Sequence, residues 1–210
     1  MSTLRATRPV PSIGSGNRDR IGPNAILQLD APLSHHIGDR ANPNLLEAAG
    51  IPLPTGEEMI PQQHVVRAHA ALLDAHPKLA ATIATEAGVG TAHYIIENRI
   101  PPPARTLLRY LPTPLAVAQL TKAIQRHAWT FCGTGRLTAH IQPFASHRVE
   151  FAIWNNPIAR GRCAPHPSCH WHRAVFETLY STLLARPFHA REIACCSCGE
   201  AACRFVVDQS

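Results

Sequence analysis

The chain has 210 residues, 45% hydrophobic and 16% charged, which suits one sizeable domain and excludes a wholly disordered polypeptide. The formal charge of +6 is mild, short of the dense basic stripe of a dedicated nucleic-acid binder. Aromatic residues reach only 6%, so a core must be built mainly from Leu, Ile, Val and Ala, while 19 Pro, 13 His and 7 Cys stand out.

Residues 1–20 are polar, aperiodic and rich in Arg, Ser, Pro and Gly, the composition of a disordered tail, and residues 21–210 are expected to form a single domain. The tail lacks the apolar stretch of a secretory signal, and no run of 18 apolar residues occurs, so neither export nor a transmembrane helix is predicted. A reducing cytoplasm is the expected compartment, where clustered Cys read as metal ligands or reactive thiols.

Helical spacing begins after Pro23, where Ile26, Leu29, Leu33 and Ile37 recur every three or four residues, with Pro32 as a candidate kink. A short helix at 44–49 ends at Gly50. A longer one is predicted from 61 to 75, with Val65, Ala68, Leu72 and Ala75 on one face, and another from 78 to 97, stopped by Pro101-Pro102-Pro103. A further helix is expected at 114–128. The period then changes. Residues 129–134, 137–144 and 147–154 read as strands, the last alternating Val149, Phe151 and Ile153 with polar neighbours. After a turn-rich connection at 155–163, a helix is predicted from 167 to 185, then strands at 188–195 and 201–207 around Ser197-Cys198-Gly199-Glu200. Glu177 on that helix reads as a solvated residue. The layout is α+β, helices packed on a small antiparallel sheet. Gly88-Val-Gly90 and Gly133-Thr-Gly135 lack the strand-then-helix context of a nucleotide loop.

The cysteines stand at 132, 163, 169, 195, 196, 198 and 203. Thiolates are soft ligands suited to zinc or iron–sulfur centres. Cys169 falls at the predicted start of a helix, where the dipole favours a thiolate. Cys195 and Cys203 flank the predicted hairpin turn, so a metal would staple the last helix to the last hairpin. Three alternatives stay open: an all-Cys site using the Cys195-x2-Cys198 spacing, buried reduced thiols acting as small hydrophobes, and a redox-sensing disulfide.

The ending EIACCSCGEAACRFVV resembles the C-terminus of the 4-vinyl reductase domain family, with its Cys, Cys-Gly-acid turn and Cys-x-Phe. The opening RIGPNAILQL resembles the bacteriochlorophyll 4-vinyl reductase branch of that family. The likeness covers roughly 20–208. It implies a fold like that of TRAPP vesicle-tethering subunits, with an internal apolar cavity and pairing through helices into a homodimer. It also implies a zinc site made of Cys169, Glu192, Cys195 and Cys203, the ligand spacing of related phenol-sensing domains. One geometric obstacle is plain: Glu192 and Cys195 are an odd number of residues apart and would face opposite sides of a regular strand. A bulge, or a strand ending early, must bring them together.

The reaction implied is reduction of the 8-vinyl group, formerly numbered 4-vinyl, of a magnesium tetrapyrrole. Such chemistry needs an electron donor, and neither a dinucleotide fingerprint nor an iron–sulfur motif is legible. The preferred expectation is therefore a bacteriochlorophyll biosynthesis protein that binds a magnesium-tetrapyrrole intermediate, Mg-protoporphyrin ester or divinyl chlorophyllide, and presents it to other enzymes of that biosynthesis. The alternatives are the divinyl reductase itself with an external donor, and a sensor or interaction module. A place at the periphery of a photosynthetic membrane fits the first two. Candidate ligand-binding residues are His127, His140 and His147, beside Trp129 and Trp154 on or near the predicted sheet, since a neutral imidazole can ligate magnesium axially. His170 and His172 are candidates for spare or supporting roles at the metal. The dispersed arginines, Arg5, Arg8, Arg18 and Arg20, then Arg99, Arg105 and Arg109, then Arg160, Arg162 and Arg173, read as solvated surface, with some available to pair tetrapyrrole propionates.

Overall fold

A computed structural model describes residues 19–142, 147–159 and 161–210. The expected tail therefore lies, up to residue 18, outside the described residues, as do positions 143–144 of one predicted strand and Arg160. The order of elements is β1 (Arg20–Ile21), α1 (Asn24–Leu27), α2 (Asp30–His36), α3 (Ala41–Ala48), β2 (Ile60–Pro61), α4 (Gln62–Ala75), α5 (Ala80–Arg99), α6 (Pro102–Tyr110), α7 (Thr113–His127), α8 (Trp129–Cys132), β3 (Arg136–Ile141), β4 (Arg148–Trp154), α9 (His170–Leu184), β5 (Phe188–Ala194) and β6 (Ala202–Gln209). The four longer strands form one antiparallel sheet in the order β3-β4-β6-β5, and β1 pairs with β2 in a separate ribbon. The layout is thus α+β, as the periodicity predicts.

Alternation explains the sheet. Val149, Phe151 and Ile153 of β4, and Cys203, Phe205 and Val207 of β6, are in register and fully buried. Helix α9 lies over this inner face. The rings of Phe151 and Phe176 stack with centroids 4.5 Å apart, Phe205 meets Phe176 edge-on at 5.4 Å, and Tyr180 packs against Phe151 and Phe188. Few aromatics are present, but they are concentrated where helix and sheet meet.

Helix α5 is buried along Ala80, Ala84, Ala87, Gly88 and Ala92 and packs chiefly on α9. Small side chains let the two backbones approach closely. A Cβ at Gly88 would lie 2.5 Å from the Trp171 carbonyl oxygen and 2.8 Å from the Ala174 Cβ. Gly88→Ala is therefore expected to destabilise the fold by about 1–3 kcal/mol through overpacking, although alanine is the better helix former. Thermal or urea unfolding of the variant checks this. A rise in stability would show that α5 and α9 can separate freely.

Four local expectations are corrected. Residues 129–132 are helical, not a strand: Phe131 and Cys132 amides donate to the Ala128 carbonyl, continuing from α7, and Gly133 ends the turn at φ +53°. The β-prone composition of Trp-Thr-Phe-Cys loses to these local bonds. The first helix breaks at Gln28–Leu29, and Pro32 sits in the first turn of α2, where a missing N–H costs nothing. The proline triplet does end α5, but Pro102 and Pro103 also open α6, an extra helix. Glu177 is not simply solvated. Its Oε2 accepts from the Ala190 amide at 2.9 Å, on the open edge of β5, and lies 3.6 Å from Arg173 Nη1.

Candidate metal centre

The four residues of interest come from three consecutive elements. Cys169 precedes the first residue of α9. Glu192 is on the inner face of β5, in register with Phe205. The register then shifts, so that Ala194 rather than Ile193 stands opposite Arg204. This β-bulge inserts one residue and restores the facing of Cys195 to that of Glu192, which removes the parity obstacle. A 3₁₀ turn at Cys196–Cys198 and a left-handed Gly199 at φ +90° reverse the chain, and Cys203 returns on β6 opposite Ile153.

The geometry is compact. The Sγ separations are 3.5 Å for Cys169–Cys203, 3.7 Å for Cys169–Cys195 and 3.8 Å for Cys195–Cys203. With a Glu192 carboxylate oxygen, all four ligand atoms lie within 4.8 Å of one another, a group that could hold a metal ion. Glu192 Oε2 accepts from the Cys169 amide at 2.8 Å, while Oε1 is buried with no hydrogen-bond partner among the described residues. Polar groups surround the sulfurs: Asn156 Nδ2 donates to Cys169 Sγ at 3.5 Å, the Cys196 amide to Cys203 Sγ at 3.3 Å, and Ser197 Oγ lies 3.0 Å from Cys195 Sγ.

Electrostatics make the cluster unsatisfied without a cation. The Cys169 thiol is held well above its ordinary value by hydrogen bonds to Cys195 and Cys203 and by burial. Cys203, despite the bond it receives from Cys169, is raised by its bond to Cys195 and by burial. Cys195 goes the other way, lowered because Cys169 and Cys203 both donate to it. Burial pushes the Glu192 carboxyl up to about 8. Three sulfurs and a carboxyl thus share few negative charges, because buried anions repel one another and lack water. A divalent cation would release the remaining protons.

The other cysteines stay apart. Cys132 is buried, and burial raises its thiol to about 12. Cys163 and Cys198 are exposed and Cys196 is half-buried. Cys198 is not among the clustered ligands, so the Cys195-x2-Cys198 spacing makes no knuckle here. His170 is half-buried at the start of α9 and outside the cluster. His172 turns into the core, its ring 4.9 Å from that of Trp171, 6.1 Å from Phe205 and 6.3 Å from Phe131.

The five candidate ligand-binding residues are not gathered into one enclosed pocket. His127, Trp129, His140, His147 and Trp154 are all exposed. His127 Nδ1 donates to the Ala123 carbonyl at 2.9 Å, Trp154 Nε1 to Thr138 Oγ1 at 3.2 Å, and Arg136 lies 5.8 Å from the Trp154 ring centroid. His140 is in register with Glu150, on the sheet face away from α9. What the sequence did not single out is a buried histidine pair. His69 Nε2 donates to the Ala25 carbonyl at 3.1 Å, whereas both nitrogens of His172 are buried without a hydrogen-bond partner among the described residues. The spacing from His172 to Phe176 and Leu179 put it on the apolar face of α9, which was the available signal.

Comparison with known proteins places this arrangement. The family model of the vinyl-4-reductase domain matches residues 149–209, which span β4, α9 and the hairpin that carry the cluster. Solved structures share the wider fold. An H-NOX protein from S. oneidensis in the Fe(II)NO ligation state superposes with TM-score 0.59 at 8% identity, over 90% of this chain and 99% of that one. Trafficking protein particle complex subunit 3 from Naegleria fowleri, covalently bound to palmitic acid, gives TM-score 0.54 at 11% identity, over 71% and 95%. The phenol-responsive sensory domain of the transcription activator PoxR gives 0.51 at 17%, over 80% and 89%. Two relatives align in sequence along nearly the whole chain. The chain is 44% identical to the bacteriochlorophyll synthase 23 kDa chain of Cereibacter sphaeroides over 89% of both chains, and 38% identical to that of Rhodobacter capsulatus over 90% and 86%. It therefore belongs to the bacteriochlorophyll synthase 23 kDa chain family.

Proposed function

We propose that this protein serves bacteriochlorophyll biosynthesis by binding a magnesium-tetrapyrrole intermediate and presenting it to other enzymes of that biosynthesis, with a structural zinc ion fixing its C-terminal half. The family carries the first part: relatives aligned along nearly the whole chain are named as a chain of bacteriochlorophyll synthase. The ligand is supported by the fold neighbours, among them structures solved to study haem distortion in the H-NOX family and protein-induced porphyrin distortion, each covering 90% of this chain.

Zinc is supported by the sulfur triangle. Tetrahedral Zn–S bonds of about 2.3 Å require sulfurs about 3.8 Å apart, and the separations here run from 3.5 to 3.8 Å. The unpartnered Glu192 Oε1 supplies a fourth ligand on the same side, while Oε2 stays anchored to the Cys169 amide. Four protein ligands leave no open position, so the ion would tie α9 to the β5–β6 hairpin rather than activate a substrate. Bound metal would also account for the hydrogen bonds directed at the sulfurs, since each donor stabilises a thiolate.

Titration with magnesium protoporphyrin monomethyl ester and with divinyl chlorophyllide tests the ligand. A Soret shift saturating at micromolar protein is expected, and no spectral change with either compound would reject it. Incubation with NADPH or reduced ferredoxin is expected to leave the vinyl group unreduced. Conversion to the ethyl product would replace the carrier reading with that of a reductase.

A further inference from the structure

We propose that the groove between α6, the end of α5 and the end of α9 is the site where the carboxylates of a tetrapyrrole dock, held by Arg105 and Arg109. The inference rests on the proposed tetrapyrrole ligand and adds its location. The groove encloses about 320 Å³, within the range of small-molecule sites. Its floor is apolar, with Ile96 and Leu183 both buried. Its rim is cationic. Arg105 and Arg109 are one helical turn apart on α6, so both guanidinium groups stand on the same side of that helix. Neither takes part in an ion pair or hydrogen bond among the described residues, whereas Arg173, Arg191 and Arg204 each face a carboxylate.

The setting of α6 supports a recognition role. Prolines begin both α6 and α7, and a fixed φ at each start makes this helix a rigid strut between two bends. Only Leu108 of α6 is buried. Tyr110 is 80% exposed and Leu107 is 58% exposed, an unusual amount of apolar surface beside two unpaired charges. A ligand that is flat and apolar but carries carboxylates complements all of these features. Arg matches a carboxylate in a bidentate fork, and the apolar floor and Tyr110 suit a macrocycle edge.

The test compares magnesium protoporphyrin, which has two free propionates, with its dimethyl ester. Wild type, Arg105→Gln, Arg109→Gln and the double variant are titrated by absorbance, and glutamine preserves helix propensity on α6. Each single change is expected to weaken binding of the diacid roughly tenfold, and the double change about a hundredfold. Binding of the diester is expected to be weak and insensitive to both changes. Should wild type bind the diacid and the double variant bind it within twofold, the docking site is elsewhere and this inference fails alone. Should wild type bind neither compound, the tetrapyrrole reading fails and takes this site with it. Co-sedimentation with vesicles of phosphatidylglycerol and phosphatidylcholine separates a remaining possibility. If the double variant loses vesicle binding but keeps the diacid, the groove is a lipid contact and the proposal is overturned.

Discussion

Replacing Cys169 or Cys203 with Ser is expected to remove the metal and most of the cooperative stability of the C-terminal half. The two residues lie on different elements, at the start of α9 and at the start of β6, and are joined only through the site. Structural zinc contributes about 10–16 kcal/mol in small zinc-binding peptides, against a typical total stability of about 5–15 kcal/mol for a domain. A chain of this size has other core, so partial rather than complete unfolding is expected, with the loss concentrated around residues 188–209. Purified wild type should carry one zinc per chain, and each serine variant close to none. Hydrogen exchange should show β5 and β6 opening in the variants and in chelator-treated wild type. Cys198→Ser, outside the cluster, is the control and should retain the metal. Metal content well below one per chain in protein never exposed to chelator, with full stability, would falsify the zinc reading. Equal metal content in Cys198→Ser and Cys203→Ser would place the ligands elsewhere.

The cluster was legible in the sequence because thiol chemistry and hairpin topology converge on the same residues. Cys195 and Cys203 flank a turn, and Cys169 opens a helix, so three ligands could be named from local patterns alone. Glu192 could not, since a lone carboxylate carries no such signal and came only through resemblance. The bulge at 192–194 was required by parity, yet its position depends on pairing with β6, a non-local fact. The same division runs through the fold. Period-two alternation in 148–154 marks a real strand because every second residue is buried by α9. Trp129 to Cys132 misled because β-branched and aromatic residues also suit the end of a helix that α7 has already nucleated. The proline triplet was read only as a stop, although proline favours helix starts equally. The five exposed His and Trp candidates were chosen for ring chemistry, and chemistry without burial does not locate a pocket.

Acid is expected to destabilise this protein through His69 and His172, and the effect should be large. Burial lowers His69 to about 4 and His172 to about 3, against 6.5 for an ordinary imidazole. His69 keeps its bond to Ala25, while the Phe131 backbone favours the His172 proton only slightly and lies outside hydrogen-bond geometry. Both rings are therefore neutral in the fold at pH values where the unfolded chain has taken up their protons. The sign follows: below about 6.5 the unfolded state binds more protons, so stability falls as pH falls. Each group contributes up to about 1.4 kcal/mol per pH unit, until its own folded value is reached. Equilibrium urea unfolding at pH 7 and pH 5 measures the slope. His69→Gln, which retains an N–H donor for Ala25, should lose roughly half of the histidine contribution. His172→Leu should do the same and also raise stability at pH 7 by about 1–2 kcal/mol, because two unpaired buried nitrogens disappear. Protonation of the metal ligands adds an acid sensitivity of its own, but that part is common to wild type and both variants. Equal slopes in all three proteins would mean that the imidazoles are already solvated in the fold. A fall in stability for His172→Leu at pH 7 would mean that they have polar partners in solution.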